Sequence, residues 1–363
     1  SKSSHQAQIL NMMRLGFRSS LLLVLLALLM QRGILWLLFY TQCTPPASQK
    51  RFITKHGPSV NSNVVKEVLP VPVFTTDDQI TWLEKDFRHR HGDVWVTTYP
   101  KTGTTWTQHM VNLLNGHEPA GGAGGLFEHC PWPEMNFTVL STLRSKLQSS
   151  ADSTSAVPRC FKSHWWNRDH MDIDKLPATS KVIFVYRDAE SVFRGYYHHI
   201  MNKYGFYQVT EDSFPHGSWD TLFNMFMAGE LDYGCYMQHT ASWWKARDRP
   251  NVLVLRYEDL KAHHVDNIRK IAEFIGVGAN KSTLEYVRHH SSFEVMKAME
   301  SEDVAMKFFQ LIGFFKGSHI RSGGGKEKSL FSTEQRKRLQ QRYEEVLAPL
   351  GMPRDFILSH ALE

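Results

Sequence analysis

The pattern of apolar and polar positions predicts four buried strands in the central and C-terminal parts of the chain. Three nearly continuous apolar runs cover Val94–Tyr99, Lys181–Asp188 and Asn251–Tyr257. Runs of this kind are typical of strands that are buried on both faces of a parallel sheet. A shorter strand is predicted over Arg159–Trp166, where the alternation of side chains turns Lys162 and His164 to the same face.

Helical patterns follow several of these strands. Apolar residues recur with the spacing of one helical face from Thr104 to Leu114 and again from Val265 to Ile275, where Gly276 provides a stop signal. Ser332 and Gln335 have the spacing of a capping box and predict the start of a final helix. Asp77–Phe87 predicts a short helix before the first strand.

The connection between the first strand and its helix suggests a phosphate-binding site. Pro100 ends the strand, and Gly103 permits a tight turn into the helix. The free N–H groups of the first helical turn and the adjacent Lys101 would favour a phosphate group. In the ordinary P-loop the lysine follows the second glycine, whereas Lys101 precedes Gly103, so the Walker A pattern fits poorly.

Length and charge restrict the alternatives further. The 363 residues suit one large α/β domain with an appendage, or two small domains. The formal charge of +6 suits a polyanionic ligand. The chain has no basic stripe with interleaved aromatic residues, so we predict no nucleic-acid partner.

Cysteine and histidine positions give no metal pattern. Cys43, Cys130, Cys160 and Cys235 form no C-x-x-C pair, and we expect free thiols in a reducing compartment, although four cysteines could also pair. The 19 histidines lack the i, i+4 spacing of helical ligand pairs. We therefore predict no metal.

The string VWVTTYPKTGTTW, residues 94–106, closely resembles the TYPKSGTTW signature of sulfotransferases that use 3′-phosphoadenosine 5′-phosphosulfate (PAPS), with Thr102 in place of serine. The resemblance extends over Val64–Leu350. It implies a single α/β domain with a central parallel sheet flanked by helices and a P-loop-like strand–loop–helix. It also implies an enzyme that moves the sulfuryl group of PAPS to a hydroxyl or amine of a small acceptor.

The resemblance suggests three catalytic residues. Lys162-Ser163-His164 looks like the family's K-T-H segment, whose histidine is the catalytic base. His164 would take the acceptor proton, and Lys101 and Lys162 would stabilise charge on the leaving phosphate and the reacting oxygen. A histidine at a strand end is by itself more often structural, and the family segment reverses that expectation.

The same resemblance assigns a set of nucleotide-binding residues. Thr104, Thr105 and Trp106 would hold the 5′-phosphate and adenine, and Arg187 and Arg321 would bind the 3′-phosphate. The full set comprises Lys101, Thr102, Gly103, Thr104, Thr105, Trp106, Arg187, Tyr233, Ser291, Phe293, Met296, Arg321, Ser322 and Gly323. Tyr233, Ser291, Phe293 and Met296 are the adenine-side residues.

This chain departs from the family pattern in two segments of the 3′-phosphate site. Gly195 stands where the family usually carries a serine, and the neighbouring Arg194 is a candidate replacement. In the C-terminal loop Ser322 replaces a lysine, and the family's tryptophan is missing. These departures keep open a non-catalytic nucleotide-binding protein on the same fold. An ATP-dependent P-loop kinase, with Asp188 as its Mg²⁺ carboxylate, is the other alternative.

The acceptor is expected to be a small molecule. Leu126–Glu134 resembles the family's acceptor-side segment, in which proline and an aromatic residue line the pocket mouth. The abundant aromatic residues suggest a phenol, alcohol, amine or sterol, although each could instead be core. Dimerisation stays open, because Lys328–Lys337 does not reproduce the family's dimer motif.

The N-terminal region divides into a leader (residues 1–40) and a linker (residues 41–63), which precede the domain at residues 64–363. Leu21–Tyr40 is long enough to cross a bilayer, roughly 20 residues, but Arg32 lies near its middle. A membrane anchor, a signal peptide and translation from upstream of the true start all remain open. The family resemblance implies a cytoplasmic protein, and a true segment here would imply a membrane-anchored one.

Overall fold

The structure, a computed structural model, describes residues 75, 77–119, 129–134, 157–167, 171–202, 219–231, 233–302, 307 and 331–357. Its strands are β1 (Val94–Thr98), β2 (Cys160–Ser163), β3 (Lys181–Tyr186) and β4 (Val252–Arg256). Its helices are α1 (Asp77–Lys85), α2 (Thr104–Leu114), α3 (Ala189–Asn202), α4 (Trp219–Ala228), α5 (Tyr236–Trp244), α6 (Tyr257–Ala262), α7 (His264–Ile275), α8 (Lys281–His290), α9 (Phe293–Glu302) and α10 (Thr333–Val346). Two 3₁₀ turns follow at Ala348–Leu350 and Arg354–Phe356.

The four strands form one parallel sheet in the order β2-β1-β3-β4, which confirms the α/β prediction. Val94 aligns with Cys160 on one side and with Lys181 on the other, so the carboxyl ends of the strands meet at one edge of the sheet. Open α/β sheets bind their ligands at this edge. The loop from β1 to α2 and the residues that follow β2 and β3 therefore share one side of the molecule.

The alternation of side chains divides the core into two layers. Trp95, Phe161 and Phe184 point to one face of the sheet, where α3, α4, α5 and α10 cover them. Val96 and Ile183 point to the other face, which α2, α7 and α8 cover. Because both faces are buried, the strand sequences are apolar at nearly every position.

The strand β2 is shorter than the predicted Arg159–Trp166. Its sheet pairing ends at Ser163, because the backbone N–H of His164 donates to the carboxylate of Glu134 instead of to a neighbouring strand. The predicted helix boundaries are confirmed: Gly276 ends α7 with φ of 81°, and Ser332 and Gln335 form the capping box at the start of α10.

The expectation of free thiols is wrong for two of the cysteines. Cys130 and Cys160 form a disulfide, with 4.5 Å between their Cα atoms, and Cys235 is a buried free thiol. The segment His129–Glu134, called here the support segment, lies along β2, where the N–H of Lys162 donates to the carbonyl of Pro131 at 2.8 Å. This tertiary contact brings the two cysteines together, and their sequence spacing carries no sign of it. Cys43 lies outside the described residues.

Among the residues that the structure describes, no helix is long and apolar enough to span a membrane. The predicted leader and linker, including Leu21–Tyr40, lie outside those residues.

Candidate functional site

The loop Tyr99–Gly103 joins β1 to α2 and has an unusual backbone. Lys101 has φ of 74° and Gly103 has φ of 110°, and the first value is uncommon for a residue with a side chain. The buried Thr102 hydroxyl donates to the carbonyl of Tyr99 at 2.8 Å and so closes the turn. A Cβ atom at position 103 would lie 2.8 Å from the ring of Tyr257, so only glycine fits there.

The start of α2 is suited to an anion. No side chain of the described residues caps this helix, and its first turn contains no acidic residue. Thr104 and Thr105 begin the helix, and the Thr104 hydroxyl is hydrogen-bonded to that of Thr98 at the end of β1. The backbone N–H groups here carry the positive end of the helix dipole.

His164 lies just beyond β2 with only 5% of its surface exposed. Its Nδ1 lies 2.7 Å from the carbonyl oxygen of Thr98, and because a carbonyl can only accept, we assign the proton to Nδ1. In that tautomer Nε2 carries the lone pair that can accept a proton. Burial, and next the positive charge of Lys162, hold the pKa of His164 well below its usual 6.5, so the ring is neutral at pH 7. This is the state that a general base requires.

Lys162 and Lys101 complete what we call the basic cluster (Lys101, Lys162, His164). Burial lowers the pKa of the Lys162 ammonium to about 7, Glu134 opposes that change, and Lys101 adds to it. The Lys162 ammonium lies 3.6 Å from the centre of the Trp132 ring, a cation–π contact. The structure therefore brings together the three residues that the sequence proposed as catalytic.

Arg187 lies at the carboxyl end of β3, as predicted. Its guanidinium stacks on the ring of Tyr257 at 4.1 Å, and its Nε lies 3.8 Å from a carboxylate oxygen of Glu258. Tyr257 also contacts Trp106, with 5.5 Å between ring centres. Sequence analysis missed Tyr257. Its position directly after β4, at the edge where the other site residues follow their strands, is the signal that could have identified it.

Trp106 and Ser291, both predicted on the adenine side, are in contact. The indole N–H of Trp106 donates to the carbonyl of Ser291 at 2.7 Å. The Ser291 hydroxyl is within hydrogen-bond distance of the carbonyl of Val287 and of His264 Nε2. Phe293 and Met296 follow on the first turn of α9, where Phe293 is half-buried and Met296 buried.

Tyr233 lies apart from the other predicted adenine-side residues, and the predicted residues of the C-terminal loop are not described by the structure. The ring of Tyr233 lies 5.0 Å from that of His164, next to the basic cluster. Arg321, Ser322 and Gly323 lie outside the described residues, so the C-terminal loop match stays a prediction.

Gly195, which stands where the family usually carries a serine, and the neighbouring Arg194 both have defined contacts. A Cβ atom at Gly195 of α3 would lie 3.1 Å from the Cβ of Lys101, so α3 and the stem of Lys101 pack closely at this point. Arg194 Nη2 donates to the hydroxyl of Ser191 at 3.2 Å.

The Asp188 carboxylate, which the kinase alternative requires for Mg²⁺, is buried and accepts from the N–H of Ser191 at the start of α3.

In the part of the chain that the structure describes, no group of three or more histidine, cysteine or acidic side chains is arranged to hold a metal ion. The metal-free site remains a prediction.

Comparison with known proteins agrees with this fold and arrangement. The sulfotransferase domain family matches residues 91–351. Sulfotransferase 1 family member D1 of Mus musculus is 26% identical over 285 residues, which cover 76% of this chain and 90% of that protein. Sulfotransferase 1A1 of Canis lupus familiaris is 26% identical over 303 residues, which cover 81% and 97%.

Solved structures share the fold. Mouse sulfotransferase SULT7A1, complexed with PAP, aligns with a TM-score of 0.54 at 19% identity and covers 76% of this chain and 91% of its own. Retinol dehydratase in complex with androsterone and the inactive cofactor PAP aligns with a TM-score of 0.56 at 20% identity, with coverage of 76% and 87%.

The chain therefore belongs to the sulfotransferase family. It is an enzyme of the sulfotransferase class.

Proposed function

We propose that this protein transfers the sulfuryl group of PAPS to a hydroxyl or amine of a small acceptor, with His164 as general base and Lys101 and Lys162 stabilising charge. The observation that carries the proposal is the neutral, oriented imidazole of His164. Its Nδ1–H is held by Thr98, and two lysines stand close enough to lower its pKa. A base, two cations and a helix N-terminus thus share one edge of the sheet.

The reaction needs no further reagent. For a hydroxyl acceptor, the bond between sulfur and the bridging oxygen of the 5′-phosphate breaks, and a bond between sulfur and the acceptor oxygen forms. The acceptor proton goes to Nε2 of His164, and the electron pair of the broken bond stays on the phosphate of the departing 3′-phosphoadenosine 5′-phosphate (PAP). Lys101 and Lys162 oppose the negative charge that develops there, as metal ions and lysines do in phosphoryl transfer.

The nucleotide is proposed to lie across the carboxyl edge of the sheet. The backbone of Gly103, Thr104 and Thr105 would bind the 5′-phosphate, because its N–H groups begin an uncapped helix. Arg187 would bind the 3′-phosphate. Tyr257 joins the proposal as a residue that fixes the Arg187 guanidinium and contacts Trp106.

The adenine side is proposed from the family resemblance, and the acceptor side from the contact between Tyr233 and His164. Trp106, Ser291, Phe293 and Met296 stay proposed for adenine. We reassign Tyr233 to the acceptor side, because its ring packs against His164. The aromatic ring of Tyr233 beside the proposed general base, His164, suits a phenol or another small apolar alcohol or amine as acceptor.

The test combines nucleotide binding with transfer. PAP and ATP are titrated calorimetrically into the full chain without Mg²⁺, and labelled PAPS is offered with a panel of phenols and amines. We expect selective binding of PAP and transfer to at least one acceptor. His164→Ala should keep the PAP affinity within about threefold and lower transfer by at least a hundredfold.

Three results would contradict the proposal at different points. Preference for ATP over PAP would remove the cofactor assignment. PAP binding with full transfer by His164→Ala would leave the sulfotransferase activity and remove His164 as its base. PAP binding without transfer to any acceptor in the wild type would favour the non-catalytic alternative.

A further inference from the structure

Glu134, a buried carboxylate of the support segment, lies directly against the basic cluster. Its side chain accepts from three donors: the Ser163 hydroxyl, the His164 backbone N–H at 3.0 Å and the Trp132 indole N–H at 2.7 Å. It is 2% exposed. A fully buried glutamate is rare unless it is paired or hydrogen-bonded, and these contacts place it between the strand end and Trp132.

Each of the three donors is connected to a proposed catalytic residue. Ser163 and the His164 N–H belong to the K-S-H segment, so one carboxylate oxygen fixes the backbone from which the His164 ring projects. The other oxygen fixes Trp132, on whose ring the Lys162 ammonium rests at 3.6 Å. One side chain therefore orients both the base and a cation.

The support segment is attached to β2 on one side and to Thr75 and Gln79 on the other. The disulfide between Cys130 and Cys160 and the bond from Lys162 N–H to Pro131 attach it to β2. On the opposite side, the hydroxyl of Thr75 donates to the carbonyl of Glu134 at 2.8 Å, and Gln79 of α1 donates to Pro133. The carboxylate is thus held on a rigid support, as a positioning residue requires.

Charge gives Glu134 a second effect on the cluster. Among the described residues, the charges that act on Lys162 come from Glu134 of the support segment and Lys101 of the β1–α2 loop; His164 follows just beyond β2, and His239 of α5 lies beyond it. Within that described group, the negative charge is that of Glu134. Burial raises the pKa of Glu134 to about 7, against its hydrogen bonds from Ser163, Trp132 and His164 and the charge of Lys162.

We propose that Glu134 is the positioning residue of the transfer reaction, orienting His164 and Lys162 through its hydrogen bonds and keeping Lys162 protonated through its charge. This inference rests on the proposed function. Glu134 itself touches neither acceptor nor nucleotide in this role.

The decisive variant is Glu134→Gln, which keeps the size of the side chain and removes its charge. An amide has one acceptor oxygen, so it cannot satisfy Trp132 and the Ser163–His164 pair together. We expect kcat to fall about tenfold to a hundredfold. Loss of the negative charge also lowers the pKa of Lys162 further. The alkaline limb of kcat/KM for PAPS should therefore move to lower pH by about one unit or more.

Matched variants separate positioning from general stability. Glu134→Asp keeps the charge and shortens the reach, so kcat should fall while the alkaline limb stays where it is in the wild type. Glu300→Gln makes the same change at another buried glutamate, on α9, and should leave kcat and the pH profile unchanged. PAP affinity, measured calorimetrically, should stay within about threefold in all three variants.

A folded Glu134→Gln protein with an unmoved alkaline limb, or with wild-type kcat, would overturn the inference. If Glu134→Gln does not fold, Glu134→Asp decides, because wild-type kcat in that variant would exclude a positioning role. Failure of the proposed function looks different, since the wild type itself would then transfer no sulfuryl group.

Discussion

At the scale of single residues, the site depends on how far burial changes the charge of its side chains. His164 is neutral because burial, and next the charge of Lys162, lower its pKa, and the hydrogen bond from its Nδ1–H to the Thr98 carbonyl opposes them only in part. Lys162 is buried as well, and its ammonium is retained only against that burial. The pKa of the base therefore lies below that of the cation, and the active form of the pair exists between the two pKa values.

His164 and Lys162 in the free enzyme should contribute the acid and the alkaline limb of the pH dependence of kcat/KM for PAPS, beside any effect of Glu134. Below its lowered pKa His164 is protonated and cannot act as a base, so the acid limb lies below pH 6.5. Above about pH 7 Lys162 loses its charge, and the rate falls. Lys162→Arg should remove the alkaline limb, because a guanidinium stays protonated throughout this range. The check is a set of initial rates from pH 5 to 9 for both proteins.

The maximum rate of Lys162→Arg is expected below that of the wild type, since the longer guanidinium does not fit the same cation–π contact with Trp132. The shape of the curve is the test. An alkaline limb that persists near pH 7 in this variant would assign the titration to a group other than Lys162.

At the scale of secondary-structure elements, the parallel strands explain why the site residues converge. Lys101 and Arg187 lie beyond strand ends and Lys162 lies one residue before the end of β2, and the register brings these ends to one edge. This much could be predicted from sequence, because the apolar runs and the glycine turn are local signals. The resemblance to a known signature then assigned roles to the residues at those ends.

What sequence could not predict depends on contacts between distant segments. The contacts of Glu134 and the pairing of Cys130 with Cys160 arise only when the support segment lies along β2. Tyr257 was assigned to a strand end without a role, and its contact with Arg187 appears only with the sheet assembled. Hydrophobic periodicity has no information about such pairs.

The packing of α3 against the β1–α2 loop gives a prediction for Gly195→Ala. Alanine favours a helix interior over glycine by about 1 kcal/mol, so the free energy of unfolding should not decrease much. The new Cβ would lie 3.1 Å from the Cβ of Lys101 and should displace that lysine. We expect kcat/KM for PAPS to fall about tenfold while the thermal unfolding temperature stays close to the wild-type value.

Gly278→Ala is the matched control, because a Cβ atom there has no neighbour within 4 Å among the described residues. Its activity should equal that of the wild type. Equal activity in Gly195→Ala as well would mean that Lys101 tolerates the displacement.

At the scale of the whole molecule, the Cys130–Cys160 disulfide joins the support segment to the central sheet. Both cysteines are buried, and the bond spans a sequence separation of 30 residues. In the chain-entropy account, closing a loop of this length stabilises the folded state by about 2–4 kcal/mol. Its removal should therefore weaken the fold and loosen the contacts of Glu134 together.

The double variant Cys130→Ala/Cys160→Ala should unfold at a lower temperature than the oxidised wild type and have lower kcat. Thermal unfolding and activity are measured with and without a reductant that is given time to reach the buried bond. The reduced wild type should resemble the double variant, and the reductant should not change the double variant. A wild type whose unfolding temperature is the same in both conditions would contradict a stabilising disulfide.

The disulfide also decides what a single proteolytic cut would do. Residues 135–156 lie between its two cysteines and outside the described part of the chain. If a protease cleaved one peptide bond there, the two fragments would remain joined through sulfur. Nicked protein would run as one band on a gel without reductant and as two bands with it. Trp132 and Glu134 on one fragment would stay beside Lys162 and His164 on the other, so the cut enzyme should remain active.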